Sequence, residues 1–332
     1  MRAYAYQNVP SEVMSSSSGG AYRRIIHSIQ SQYPDEDFIY YGAAWNNDLS
    51  VSHKRVDNLS EAERLFSGSK YVRSDIAGIP GQVEKDLQGG KFVVFSGTPC
   101  QVYGVLSFIR NKAIPSSKLV TIDIICHGTP KQEVLRDSLS WWSHKEGSPV
   151  VAMSCRDKRS GWKGYPVSLK FKDGKEWINN FNTQMYIRLF FTHLVMYKGC
   201  YSCKFSNIER NSDITIGDFW GVEDVFPELN PGKGVSLILT NTDKGQRILN
   251  RIQQILAKEE VLLECKNDDY RKYQHNLNSP TEMPEMYDQF WRDYKDKGFE
   301  YILKEYKVTD FMTYARYCKH KVSGILKGNQ SN

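Results

Sequence analysis

Apolar residues in this chain fall into short runs, separated by polar turns and by stretches with a helical period. FIYYGAA (38–44), KFVVFSG (91–97), LVTIDIIC (119–126), DITIG (213–217) and GVSLILTN (234–241) are rich in β-branched and aromatic side chains. Such runs predict strands buried on both faces. PVSLKFKDGKEWIN alternates on either side of Asp173-Gly174, the pattern of a hairpin. Between the runs, Ala21, Tyr22, Ile25, Ile26 and Ile29 share one helical face, as do Val102, Val105, Leu106 and Ile109. A third apolar face runs through Ile248, Leu249, Ile252, Ile255 and Leu256. Strands alternating with helices predict an α/β fold, a mixed, mostly parallel sheet flanked by helices. From about residue 270 the texture turns aromatic and charged, as in MYDQFWRDYKDKGFEYILKEY, which predicts a helical C-terminal appendage. Its aromatics Phe290, Trp291, Tyr294, Phe311, Tyr314 and Tyr317 read as packing residues. The expected division is 1–90, 91–270 and 271–332.

Two turns echo each other. FVVFSGTPCQVYGVL and TIDIICHGTPKQEVL both lead from an apolar strand through G-T-P-x-Q into a helical pattern. Thr98 and Thr129 suit the N-cap, Pro99 and Pro130 the first helical position, and Gln101 and Gln132 the reciprocal partner of a capping box. Both turns lie at carboxyl ends of strands, where open α/β sheets place their ligands.

Each turn also carries a cysteine, which brings composition into play. The 332 residues hold seven cysteines, an odd number in a chain without an export-signal layout. Reduced thiols or cofactor ligands fit this better than a disulfide framework, and the expected location is cytoplasmic. A net charge of +6 is spread along the sequence, with no aromatic-interleaved basic motif, so nucleic acid is not an expected partner. No apolar run approaches membrane-spanning length.

Cys100 falls in a first helical turn, where the helix dipole favours thiolate. Cys126 ends its strand beside His127. Cys200 and Cys203 form a C-x-x-C pair, so three segments supply four thiols, enough for a closed metal site. Cys155 is a possible fifth member; Cys265 and Cys318 read as ordinary small apolar residues. Four thiolates suit structural zinc or an iron–sulfur cluster, and a redox-active or idle dithiol beside two core cysteines is the remaining alternative.

SSSSGGAY (15–22), GSKYVRSDI (68–76), FSGTPCQ (95–101), DIICHGTP (123–130), RDKRSGWKGY (156–165) and GCYSCKFSNIERNSDITIGDFWG (199–221) occur in this order. Together they resemble the coenzyme F-420 hydrogenase/dehydrogenase beta-subunit family, over nearly the whole chain and more weakly after about 270. The resemblance implies an FAD-binding flavoprotein with a 4Fe-4S cluster. Electrons would pass between the cluster, FAD and an organic substrate or deazaflavin. It implies Cys100, Cys126, Cys200 and Cys203 as cluster ligands, and places flavin binding in 1–90 and 91–270. Many relatives carry an N-terminal ferredoxin module with C-x-x-C-x-x-C-x-x-x-C-P runs, which this sequence lacks. An external ferredoxin or partner subunit is therefore the expected donor. The alternative is a non-catalytic electron-transfer or accessory subunit, including one serving polysaccharide biosynthesis.

Within that resemblance, Ser17, Ser18, Gly19 and Gly20 stand at a helix start that suits the FAD pyrophosphate or ribityl chain. Ser69 and Lys70 belong to a turn where the lysine would stabilise reduced flavin. Thr98 and Gln101 are further expected cofactor contacts. His127 is an expected proton relay, and with Lys70 the expected catalytic residue. Arg156, Lys158, Trp162 and Lys163 form a loop suited to an acidic substrate or cofactor tail. Asp218, Phe219 and Trp220 are expected to shape the cluster pocket. The basic KHKVSGILKGN end suggests weak attraction to a partner or an anionic surface.

Overall fold

The computed structural model describes residues 1–229, 231–310, 312–317 and 319. The first strands are β1 (Arg2–Gln7), β2 (Phe38–Trp45), β3 (Val51–Val56), β4 (Phe92–Gly97) and β5 (Leu119–Ile124). Next come β6 (Val150–Ser154), β7 (Ser168–Phe171) and β8 (Glu176–Ile178), then β9 (Ile214–Asp218), β10 (Ser236–Thr240) and β11 (Val261–Glu264). Eight of them form one mixed sheet in the order β11-β1-β10-β9-β5-β4-β2-β3. Its centre is parallel, with β2 beside β4, β4 beside β5, and β5 beside β9. Its margins are antiparallel: β3 closes one edge, and β10, β1 and β11 build the other. Strands from before residue 91 and from after it thus share a single sheet.

Both faces of the sheet are buried, and the two-residue period assigns side chains to each. Tyr40, Val94, Val120, Ile122 and Ile238 face the helices Ala21–Gln32, Leu59–Phe66 and Asp243–Gln254 through Ile25, Ile29, Ala62, Ile248 and Ile252. On the opposite face Ile39, Tyr41, Val93 and Phe95 pack against Val83, Val102 and Val105 of the helices Ile79–Gln88 and Pro99–Asn111. The three apolar helix faces read from the sequence are therefore the buried ones.

A second sheet, β6-β7-β8, turns at Asp173-Gly174 with Gly174 at φ 90°, the left-handed conformation the hairpin demands. It packs with Gln132–Glu146, Met185–Phe191 and the C-terminal helices Tyr287–Lys297 and Phe299–Glu305 around Trp142, Phe171, Phe190, Phe290 and Ile302. The helical appendage is thus part of this second core. Phe311, Cys318 and the basic end from residue 320 lie outside the described residues. No helix among the described residues is long and apolar enough to cross a membrane.

The two G-T-P turns do not match. At Thr98 the capping box forms: Gln101 Oε1 accepts the Thr98 N–H at 3.0 Å, and Pro99 opens the helix. At Thr129 it does not. Pro130 instead bridges Met196, the helix starts two residues later at Gln132, and the Gln132 amide donates to the Arg73 carbonyl. The partner segment around Met196 outcompetes the cap and holds this turn extended.

Candidate functional site

The carboxyl ends of β4, β5 and β9 open into a cavity of about 480 Å³. Ser96 and Gly97 come from β4, Ile122 and Ile124 from β5, Ile216, Gly217 and Asp218 from β9. This is where parallel strands leave a crevice, because the chain departs to helices on either side. One wall is the serine loop with Gly20, Ala21 and Tyr22. Facing it is the Gly68–Tyr71 turn, and aromatic rings of Tyr165, Phe190, Phe191, Trp220 and Tyr273 complete the rim.

The serine loop is fastened at several points. Ser17 Oγ accepts the Ser69 N–H at 2.7 Å, joining the loop to the facing turn. Ser18 Oγ donates to the Val235 carbonyl at 2.9 Å. Lys158 Nζ donates to the carbonyls of Val13, at 2.6 Å, and Ser18. Gly19 gives its N–H to Ser236 Oγ and lies so close to β1 that a Cβ would stand 2.2 Å from the Tyr6 carbonyl oxygen. Its place is dictated by this approach, and it is not among the cavity-lining residues. Gly20, at φ 85°, starts the helix Ala21–Gln32 without a side-chain cap, so nothing from its own side chain covers the first-turn amides.

Of the residues expected from the sequence, Ser17, Ser18, Gly20, Ser69, Lys70, Thr98, Gln101, Cys126 and His127 all line this one cavity. Gln101, however, uses both ends of its carboxamide on the protein: Oε1 on Thr98 and Nε2 on Ser74. It continues into a buried chain in which the Ser74 hydroxyl donates to His53 Nδ1 and His53 Nε2 donates to the Ser96 carbonyl. Lys70 Nζ donates to the Leu65 carbonyl at 2.6 Å, and desolvation draws its ammonium down to about 8 while the Cys155 thiol pulls the other way. His127 Nε2 meets His193 Nε2 at 2.9 Å with Phe190 and Phe191 edge-on to its ring. Burial and the neighbouring His193 and His275 hold it neutral, down to about 4.

Cys100, Cys126, Cys200 and Cys203 are all free thiols. Burial pushes the Cys126 thiol up to about 12, against a Gly128 N–H bond, and the charges of Cys100, Cys200 and Cys203 act in the same direction as burial. Cys200 feels Cys100 and Cys203 likewise. The four thiols are therefore electrostatic neighbours, and Gly128 lies against Met196 and Cys200, where a Cβ would come 2.3 Å from the Met196 sulfur and 3.4 Å from Cys200 Cβ. Cys126 lines the cavity, while Cys100 is exposed. Cys155 is buried beside Lys70 and Tyr71, apart from this group. Among the described residues, no three His, Cys, Asp or Glu side chains converge tightly enough to hold a single metal ion. An all-thiol donor set is the chemistry of iron–sulfur ligation.

The 156–163 loop differs from the sequence expectation because most of its charges are already matched, Lys158 on backbone carbonyls being the exception. Arg156, 6% exposed, binds Asp218 at 2.8 Å and the Tyr71 hydroxyl at 3.2 Å. Trp162 is buried, donates to Asp218 at 3.1 Å and stacks on Trp220 with ring centres 4.7 Å apart. Arg159 pairs with Asp157 and Glu176, and Lys163 pairs with Glu223. Asp218 and Trp220 thus shape the cavity wall, whereas Phe219 packs away in the core. Sequence reasoning gave no role to Arg210, whose guanidinium bonds Asp123 at 3.0 Å, the Ile124 and Phe205 carbonyls and Thr215 Oγ1, both charges being 1% exposed. It also missed His193, Ser74 and His53. Their signals are single polar residues whose partners lie far along the chain.

A cavity at the strand ends of an α/β sheet, with one of four neighbouring thiols in its wall, defines the class of protein. The family described as the C terminus of the coenzyme F420 hydrogenase/dehydrogenase beta subunit matches residues 90–262, and the chain belongs to it. Among solved structures, a chain of the F420-reducing NiFe hydrogenase complex from Methanosarcina barkeri is similar at a TM-score of 0.55. The two are 15% identical over 90% of this chain and 94% of the other, which is likeness of fold. Comparison with curated proteins finds no match. The family is one of oxidoreductases and electron-transfer subunits.

Proposed function

We propose that the chain is an iron–sulfur flavoprotein that passes electrons between an external ferredoxin-like donor and an organic substrate or deazaflavin. The observation that carries this is the double membership of Cys126, which belongs to the four-thiol group and to the cavity wall. Cys100, Cys126, Cys200 and Cys203 would hold a 4Fe-4S cluster, and the cavity would hold the flavin of FAD. The residues fit these groups in two respects: the thiols are unpaired by disulfides, and the uncapped helix start at Gly20 offers amides to an anion. When bound, the cluster supplies one-electron transfer and the flavin links it to two-electron chemistry.

The chain's own residues do the rest. The loop Ser16–Gly20 and the Gly68–Tyr71 turn, tied by Ser17 and Ser69, clasp the ligand from two sides. Lys70, still a cation at neutral pH, offsets negative charge gained in the cavity. The His127–His193 pair holds one proton between two Nε2 atoms and so delivers or accepts it at the cavity edge. The aromatic rim excludes water. Anaerobic purification, with quantitation of iron, acid-labile sulfide and flavin, tests the reading. The expected result is about four irons per chain, one flavin, and bleaching on reduction. Colourless protein containing zinc or no metal would refute it.

A further inference from the structure

A second pocket, of about 310 Å³, lies on the far side of the serine loop and shares Ser16, Ser17, Gly68 and Ser69 with the cavity. Two of its lining residues are cations at least nine-tenths buried, Arg156 at 6% and Lys158 at 5% exposure. Such cations require partners. Arg156 places its terminal nitrogens on Asp218 and Tyr71, and its Nε is buried with no partner. Among the described residues Lys158 has only neutral hydrogen-bond partners, the Val13 and Ser18 carbonyls, which leaves one of its three N–H donors over. The two other charged residues of the lining, Asp157 and Arg159, pair with each other. A buried ammonium without a bonded carboxylate is costly: burial and Arg156 lower Lys158 to about 7 although the Asp218 charge acts the other way. An anion arriving beside it would restore the missing counter-charge.

We infer that this pocket is a subsite for a phosphoryl-type anion, held by Lys158 and Arg156 with the Ser17 hydroxyl at its border. The anion comes from the diphosphate half of the ligand in the adjoining cavity, or from a phosphorylated substrate. The subsite stands without the flavin reading, because its cations are unsatisfied in the protein itself.

The probe is inorganic pyrophosphate, titrated calorimetrically against the full chain, as purified and after loading with riboflavin or FAD. Binding to the flavin-free chain is expected, about ten- to a hundredfold weaker in Lys158→Gln and retained in Lys158→Arg. Loss of the pyrophosphate site on FAD loading but not riboflavin loading identifies the ligand's own diphosphate as occupant. Persistence with FAD identifies a phosphorylated substrate. On the wild-type chain, pyrophosphate is also expected to shield Lys158 from amine acetylation, read by peptide mass spectrometry, while Lys163 on its exposed pair stays reactive. That second readout decides the matter if Lys158→Gln fails to fold. Absence of binding, equal binding by Lys158→Gln, or no shielding overturns the inference. Pyrophosphate binding to the flavin-free chain and the shielding of Lys158 do not depend on flavin, so failure here is separable from failure of the proposed function.

Discussion

At the scale of single residues, the cysteines divide by environment. Cys126→Ser or Cys203→Ser should remove most of the bound iron, because a hydroxyl is a poor substitute for thiolate in such a cluster. Cys265→Ser, outside the thiol group, should leave the iron content of anaerobically prepared protein unchanged. Equal iron in all three variants would sink the ligand assignment. His53 allows a different test. It is 5% exposed, and desolvation lowers it from the usual histidine range to about 4 despite its bond to the Ser96 carbonyl. Between pH 6.5 and 4 the unfolded chain takes up a proton that the folded chain refuses, so stability falls as pH drops through this window. His53 alone should cost on the order of 3 kcal/mol across it. Urea unfolding at several pH values should show a shallower acid loss in His53→Asn than in the wild type. His127 and His193, also lowered by burial, supply the slope that remains.

Among elements, the two G-T-P turns show what the sequence carries and what it cannot. The same letters form a capping box at Thr98 and an extended bridge at Thr129, because only the second has the Met196 segment beside it. Gln101→Ala should therefore cost about 1–2 kcal/mol in denaturant unfolding, through the lost cap and the Ser74 bonds. Gln132→Ala, which loses one exposed bond to Arg73, should cost less than about 0.5 kcal/mol. The continuous apolar runs were legible as strands because both their faces are buried. β3, VSHKRV, is an edge strand with polar and charged positions, and β11 is four residues long, so neither made a clear run. The buried Arg210–Asp123 pair was invisible for another reason: it joins the loop after Cys203 to β5 across the sheet, with no local pattern to announce it. Arg210→Met strands Asp123 and should destabilise by about 3–5 kcal/mol. By loosening that loop it should also lower iron retention at temperatures where the fold still holds.

For the whole molecule, alternation of strands and helices pointed to the α/β class, but strand order and direction had to come from the structure. Nothing in RAYAYQ shows that it lies between β10 and β11. The cavity was legible in parts: its serine loop, its lysine turn and the ends of β4, β5 and β9 were marked by local motifs. Their convergence, and the internal pairing of Arg156, Arg159 and Lys163, follow only from topology. Because Cys100 is exposed and Cys126 faces the cavity, the thiol group spans from surface to interior. An electron donor of the proposed kind would have access on the Cys100 side without entering the cavity.

The placement of β1 also has a consequence for how the protein is made. Its hydrogen-bonded neighbours begin at residues 236 and 261, and Gly19 waits for Ser236. While the ribosome is still translating the middle of the message, the opening segment has emerged but has no sheet to join. A prosthetic group held as proposed would thus be installed only after residues 236–264 have been made.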